Sequence, residues 1–389
     1  MNSAIKLFII LSPLQSLFAF STFITPSNIL LVFIICLLLI KGLYRGLRFD
    51  KTLYTIILFG IILAFTLLLN INSKETTGFI FYTIYVVIIV SILYLSLINT
   101  TISYLEISKF LLYAILLSFM IGIIELTTYT LEIGTLDMWH YSNTHMPVTY
   151  GIPRMRATFN EPGKYATSVV LITALSLYYI SRQPTFKKEL YIFILIINLM
   201  LTFSTALFSI LVLYLGFALI LSPLVFLKKS IIITYKYWFV LVIIFFIYLL
   251  FDTEISYIVQ KKLTEAFADV TSARFYKHRL FFDNILAEKN DFNAIPHSYS
   301  LRSFVHIGLF GLIPAATVLI LAIKNILSSH YISSFIYFTL LVNSMVALSL
   351  HFSFDLFSLA IVLCAEKNSF LKNAINLKSA PLKYQRLNH

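Results

Sequence analysis

Apolar runs of about 15 to 22 residues recur along almost the whole chain, parted by short polar stretches. A soluble core cannot take up that much apolar surface, and 59% of the 389 residues are hydrophobic against 12% charged. About 20 apolar residues in an α-helix match the thickness of bilayer hydrocarbon. Only helices and closed barrels satisfy all their backbone groups there. No alternating pattern repeats at barrel spacing. The expected fold is therefore all-α, a polytopic membrane protein of about 12 transmembrane helices in one integral domain covering 1–389.

The first six spans are expected at 4–22, 27–41, 52–70, 78–98, 109–130 and 165–181. The run 190–227 is too long for one helix, and Thr202 to Thr205 marks a tight turn between spans seven and eight. Spans nine to twelve fall at 232–251, 302–322, 331–350 and 352–365. The first run lacks a small-residue cleavage site, so it reads as a span and not as a cleaved signal.

Loop charge orients these spans. Lys41, Arg45, Arg48 and Lys51 flank one connection; Arg182, Lys187 and Lys188 another; Lys228 and Lys229 a third. The tail 366–389 adds Lys367, Lys372, Lys378, Lys383 and Arg386. With twelve spans all of them share one face, which the positive-inside rule assigns to the cytoplasm together with both termini. The net charge of +12 is thereby explained without a nucleic-acid partner. Cys36 and Cys364 both lie in apolar runs, which argues against a structural disulfide.

The two long loops, 131–164 and 252–301, then share the outer face. Orientation does not account for cations there, so they call for an anionic partner. The first loop ends in Arg154-Met-Arg156-Ala-Thr-Phe-Asn-Glu161-Pro162-Gly163-Lys164. Arginine forks grip phosphate oxygens, and backbone N–H groups near a helix start favour an anion. The plainer alternative is an ordinary juxtamembrane loop, with arginines on lipid headgroups and Glu161 in a surface ion pair.

The second loop carries Arg274, Lys277, His278 and Arg279 beside the apolar residues Phe275, Leu280, Phe281, Phe282, Ile285 and Leu286. That pattern suits a helix on the membrane surface, with Arg274 and His278 on one face. The same pattern suits an amphipathic helix that touches only lipid. His297-Ser298 follows where the chain re-enters the membrane, then Gly308-Leu-Phe-Gly311. A histidine at such a boundary can exchange a proton near neutral pH.

Other chemistries lack their motifs. There is no phosphate-binding GxxxxGK[ST] loop, Rossmann fingerprint, HExxH helix or GxSxG elbow. The outer loops contain no D-x-D pair, so a site without metal or cofactor is expected. Glu125 and Asp355 are almost the only charges within spans, fewer than an ion-coupled transporter usually needs.

Several of these residues together resemble the bacterial O-antigen polymerase and O-antigen ligase superfamily. They are Arg154-x-x-Ala157-Thr-Phe-Asn-Glu161-Pro162, Thr202-Phe-Ser204-Thr205, Ser272-Ala-Arg274 and His297-Ser298-x9-Gly308-x-x-Gly311. The family usually has glycine where this chain has Ala157, and many members have arginine where it has Thr205. The form Phe159-Asn-Glu161-Pro162-Gly163 looks more like polymerases than ligases.

The resemblance implies a metal-independent glycosyltransferase in the bacterial inner membrane, with both long loops periplasmic. Its substrate would be oligosaccharide repeat units on undecaprenyl diphosphate, and its surroundings membrane lipids. A chain-length regulator protein is implied as a further partner. His297, Arg154, Arg274 and Glu161 would be catalytic, and Arg156, Lys164, Lys277, His278 and Arg279 would bind substrate. Two other readings stay open: a ligase moving glycan to lipid A–core, and, from a different class, a flippase for lipid-linked repeat units.

Overall fold

The computed structural model describes residues 2–11, 26–69, 74–133, 148–149, 152–157, 162–202, 308–327 and 331–346, with a few single positions elsewhere. These residues are overwhelmingly helical. In chain order the helices are α1 (Asn2–Leu11), α2 (Pro26–Arg45), α3 (Lys51–Leu69), α4 (Lys74–Ile98) and α5 (Tyr104–Thr130). A two-residue antiparallel pair follows, β1 (Val148–Thr149) with β2 (Ile152–Pro153). Then come α6 (Pro162–Ile180) and α7 (Thr185–Met200), a short 3₁₀ turn (Gly308–Leu312), α8 (Ile313–Leu327) and α9 (Tyr331–Val346).

Among the described residues three stretches are long and apolar enough to cross a bilayer: Asn28–Arg45, Thr77–Ile98 and Tyr104–Thr130. Expected spans eight, nine and twelve, the loop 252–301 and the tail 366–389 lie outside the described residues, single positions apart.

Several helices begin earlier than the apolar runs do. Span five was expected at 109, but α5 starts at Tyr104 because Ser103 caps it. The Ser103 hydroxyl accepts from the Glu106 N–H, and the Glu106 carboxylate accepts from the Ser103 N–H. That exchange satisfies two end donors and carries the helix through polar residues. Likewise α6 opens on Pro162, whose missing N–H costs nothing in a first turn. Helices α4 and α7 also start on polar residues, at Lys74 and Thr185.

Helix α6 is the centre of the bundle. Of its 19 residues only Gly163, Lys164 and Tyr179 escape burial. It packs against α5, α7 and α9. Ala166, Ser168, Ala174 and Ser176 are all buried in it, and small side chains let neighbouring backbones come close where lipid gives no hydrophobic drive.

Around this centre the outward faces are as apolar as the core, and some polar groups turn inward. Helix α5 turns Ser108, Ser118, Gly122 and Glu125 inward. Tyr113, Leu117, Met120 and Ile124, on its other side, are exposed. Helices α2 and α3 likewise expose Ile29, Val32, Phe33, Leu39, Tyr54, Leu58 and Phe65. A surface that apolar is stable against lipid and not against water.

The connections gather at two ends. At the first, the Asn99 side chain holds both backbone groups of Arg48, and Lys41 donates to the Asn99 carbonyl. Asp50 caps α3 through the Leu53 N–H and also accepts from the Tyr94 hydroxyl. Lys6 meets Glu106 at 2.9 Å, and Arg182 lies over the Tyr178 ring. The stretches 41–51 and 182–188, which carry the cations of these two connections, therefore share this end. At the opposite end lie the C-termini of α5 and α7, the start of α6, and residues 154–157.

The hairpin of α8 and α9 fixes the place of the 3₁₀ turn. The Ser334 hydroxyl donates to the Ala322 carbonyl, and Asn343 donates to the Thr167 carbonyl near the start of α6. Nine residues of helix, about 13 Å, run from Ser334 to Asn343 and equally from Ala322 back to Ile313. Gly308–Leu312 thus lies at the end where 154–157 lies.

Ser108 ties α5 to α6 twice: its hydroxyl donates to the Leu175 carbonyl at 2.8 Å and accepts from the Tyr179 N–H at 3.1 Å. Buried interhelical hydrogen bonds in membrane proteins contribute about 0.6 to 1.7 kcal/mol. Ser108→Ala is expected to lower stability by about 1 kcal/mol, read as reversible unfolding in mixed micelles. An unchanged midpoint would show that water or lipid replaces both bonds.

Candidate functional site

The C-terminal half of α5 offers a groove. Ser118, Gly122 and Glu125 fall on one face at helical spacing and are all buried. Residues 154–157 run through this groove as a strap between β2 and α6. Gly122 makes it possible: a Cβ there would stand 2.5 Å from Met155 Sδ, 2.7 Å from its Cγ and 3.0 Å from the Ala157 Cβ.

The strap is held along its length. The Met155 N–H donates to the Leu201 carbonyl at 3.0 Å, just past the end of α7. Arg154 Nε donates to the Thr202 carbonyl at 3.4 Å. Ala157 turns the chain toward α6 with φ of 50°, the left-handed region. A non-glycine residue there costs roughly 1 to 2 kcal/mol. Here the methyl group of alanine fills space left by Gly122.

The central tether is ionic. Arg156 Nε meets Glu125 Oε1 at 2.7 Å, with the two side chains 1% and 6% exposed. The backbone N–H groups of Arg156 and Ala157 face the same carboxylate. Arg156 is the largest fully buried side chain among the described residues. Lys6 and Glu106, at 32% and 43% exposed, form a very different pair. A pair open to solvent contributes at most about 1 kcal/mol, whereas removing one partner of a buried pair costs about 3 to 5 kcal/mol.

Glu106 and Glu125 lie 19 residues apart on α5, about 28 Å. That is close to the roughly 30 Å of bilayer hydrocarbon. The two ion pairs thus mark two levels of the bundle separated by about one membrane core.

Buried polar groups continue from the strap into the bundle. The Tyr165 hydroxyl donates to Asn198 Oδ1 at 2.8 Å, joining α6 to α7. Ser118 on α5 also hydrogen-bonds Tyr165. Thr202 and Ser204 are buried beside the end of α7, where the Thr202 hydroxyl donates to Leu199 and Ser204 Oγ accepts from the Leu207 N–H.

Of the residues singled out in the sequence, Arg154 is half-buried at the bundle end, Arg156 is enclosed on Glu125, and Lys164 stands in the first turn of α6. Helix α6 therefore takes in the last residues of the loop expected at 131–164. Glu161, Arg274, Lys277, His278, Arg279 and His297 lie outside the described residues, as does the segment 275–286. Two distant motifs do meet: Arg154-x-x-Ala157 and Thr202-Phe-Ser204 touch through Leu201 and Thr202.

Sequence reasoning noticed Glu125 but gave it no partner. A carboxylate within a span needs one, and Arg156 stands in the next loop. Gly122, Tyr165 and Asn198 carried no signal of their own, since each acquires meaning only from what packs on it.

Comparison of the chain with protein-family models, curated proteins and solved structures finds no match.

The strap responds sharply to volume. Gly122→Leu is expected to lower stability by about 1 to 3 kcal/mol through overpacking against Met155 and Ala157. Ala157→Gly should stay within about 1 kcal/mol of the parent, since relief at positive φ is offset by a more disordered unfolded chain. Ala157→Val should fall well below both parent and glycine variant in a thermal unfolding series in detergent. Equal midpoints for Ala157→Gly and Ala157→Val would refute the left-handed strap.

Proposed function

We propose that this protein is an O-antigen polymerase, joining undecaprenyl-diphosphate-linked oligosaccharide repeat units at the periplasmic face of a bacterial inner membrane. The proposal includes twelve spans, both termini in the cytoplasm, and 131–161 and 252–301 as the two periplasmic loops. One observation carries it most: the two arginine- and threonine-bearing motifs, 154–157 and 202–204, meet at the bundle end away from the cationic connections. The side away from the positive connections is the side the positive-inside rule leaves outside. Gly308–Leu312, the last piece of the resembling pattern, lies at that end too.

In the proposed reaction the growing glycan leaves its undecaprenyl diphosphate and joins a sugar hydroxyl of an incoming repeat unit. The anomeric C–O bond to phosphate breaks and a glycosidic C–O bond forms. The departing diphosphate gains negative charge, so the catalyst must stabilise charge at the phosphates. Arg154 takes that role with Arg274 and Arg279, while Lys164, Lys277 and His278 hold the head group. His297 accepts the proton of the attacking hydroxyl. Glu161 orients an arginine or shares the base role. One displacement of this kind inverts the anomeric centre.

Burial supports a division of labour between the two arginines of the strap. Arg156 already has a carboxylate within the bundle, whereas Arg154 is half-buried at the bundle end. Arg154 is therefore assigned to the diphosphate.

The test is genetic. Arg154→Ala, Arg274→Ala and His297→Ala are placed in a strain that depends on this gene, and its lipopolysaccharide is run on a gel. The expected result for each is lipid A–core carrying a single repeat unit, with a loss of polymer of about 100-fold or more. Bare core with accumulated lipid-linked polymer would point to the ligase. A normal ladder from all three variants would sink the assignment of the site.

A further inference from the structure

We propose that Glu125 is a positioning residue for Arg154, acting through Arg156 and the strap backbone. The inference deepens the proposed function and rests on its assignment of Arg154 to the diphosphate. Glu125 is buried on a helix long and apolar enough to cross a membrane, a placement that is costly for a carboxylate unless a partner repays it. Apolar side chains of similar volume often replace a buried ion pair without loss of stability, so stability alone does not account for the charges. The distinctive property of the charged pair is direction. Arg156 Nε and the N–H groups of Arg156 and Ala157 converge on one carboxylate, which fixes the strap's rotation as well as its depth.

The residue immediately before this pinned segment is bound on its other side. Met155 is tied to Leu201, and the Arg154 guanidinium is steered by the Thr202 carbonyl. Four consecutive residues are thus fixed to α5 and to the residues just past α7, and Arg154 projects from a backbone with little freedom. A cation held in place before the substrate arrives needs no reorganisation when charge develops on the leaving diphosphate. Glu125 touches no substrate in this scheme.

The decisive variant removes the charge but keeps the packing: Glu125→Leu with Arg156→Met. Its position readout uses a chain carrying Cys36→Ser, Cys364→Ser and Arg154→Cys, labelled with N-ethylmaleimide in detergent. Adding the Leu/Met pair should raise the labelling rate at position 154 by about fivefold or more, as expected for a locally released segment, while unfolding in detergent stays cooperative. Glu125→Gln, which keeps size and one acceptor oxygen, serves if the double variant does not fold.

In cells the Leu/Met chain, otherwise of natural sequence, should reach the membrane in normal amount and give no ladder. A labelling rate within twofold of the parent, or a normal ladder, would overturn the positioning role. The two ideas fail separately. If Arg154→Ala leaves the ladder intact while the Leu/Met pair still releases position 154, the site reading falls and the tether stands.

Discussion

A guanidinium and a carboxylate withdrawn from water cost several kcal/mol each unless they find one another. Arg156 and Glu125 meet at 2.7 Å, almost wholly enclosed, near the end of a helix long enough to cross a membrane. Much else at that end follows from this meeting. The strap must enter the helix bundle to deliver Arg156. Gly122 must be small to admit it, and Ala157 must turn left-handed to lead the chain back out into α6. Each of these choices is unfavourable or neutral alone. Together they hold an otherwise irregular segment against α5 and the end of α7.

The same arrangement explains why α6 is central. It starts where the strap ends, and its small residues let α5, α7 and α9 close around it. Polar side chains then pair across helices: Ser108 with Leu175 and Tyr179, Tyr165 with Asn198, Asn343 with Thr167. In lipid these contacts and close packing hold the bundle together, since apolar surface gains nothing by leaving a hydrocarbon solvent for a protein core. The outward residues of α2, α3 and α5 are accordingly large and apolar.

Much of the helix pattern was legible in the sequence. Apolar runs at 27–41, 52–70, 78–98, 109–130, 165–181 and 331–350 correspond to α2 to α6 and α9, with shifts of up to a turn or so at their ends. The shifts have local causes. Ser103 with Glu106, Asp50, and Pro162 begin helices in polar sequence that hydropathy alone assigns to loops. The candidate site was legible only as a set of motifs. Arg154 and Arg156 look equivalent in a linear reading, two cations with one residue between them. They differ because one side of the strap faces a buried carboxylate and the other faces the bundle's end.

The sequence by itself determined the class of structure and the placing of charge along it. Runs of about 20 apolar residues favour helices long enough to cross a bilayer, and the charged stretches fall between those runs. These properties are additive over short windows, so they need no knowledge of neighbours. Tertiary structure alone decided the pairing of Glu125 with Arg156, 31 positions apart, and the meeting of Arg154 with Thr202, 48 positions apart. It also decided that Gly122 is a passage for another segment. Such facts depend on which helix faces which and at what height, and no periodicity within one segment encodes the partner across the bundle.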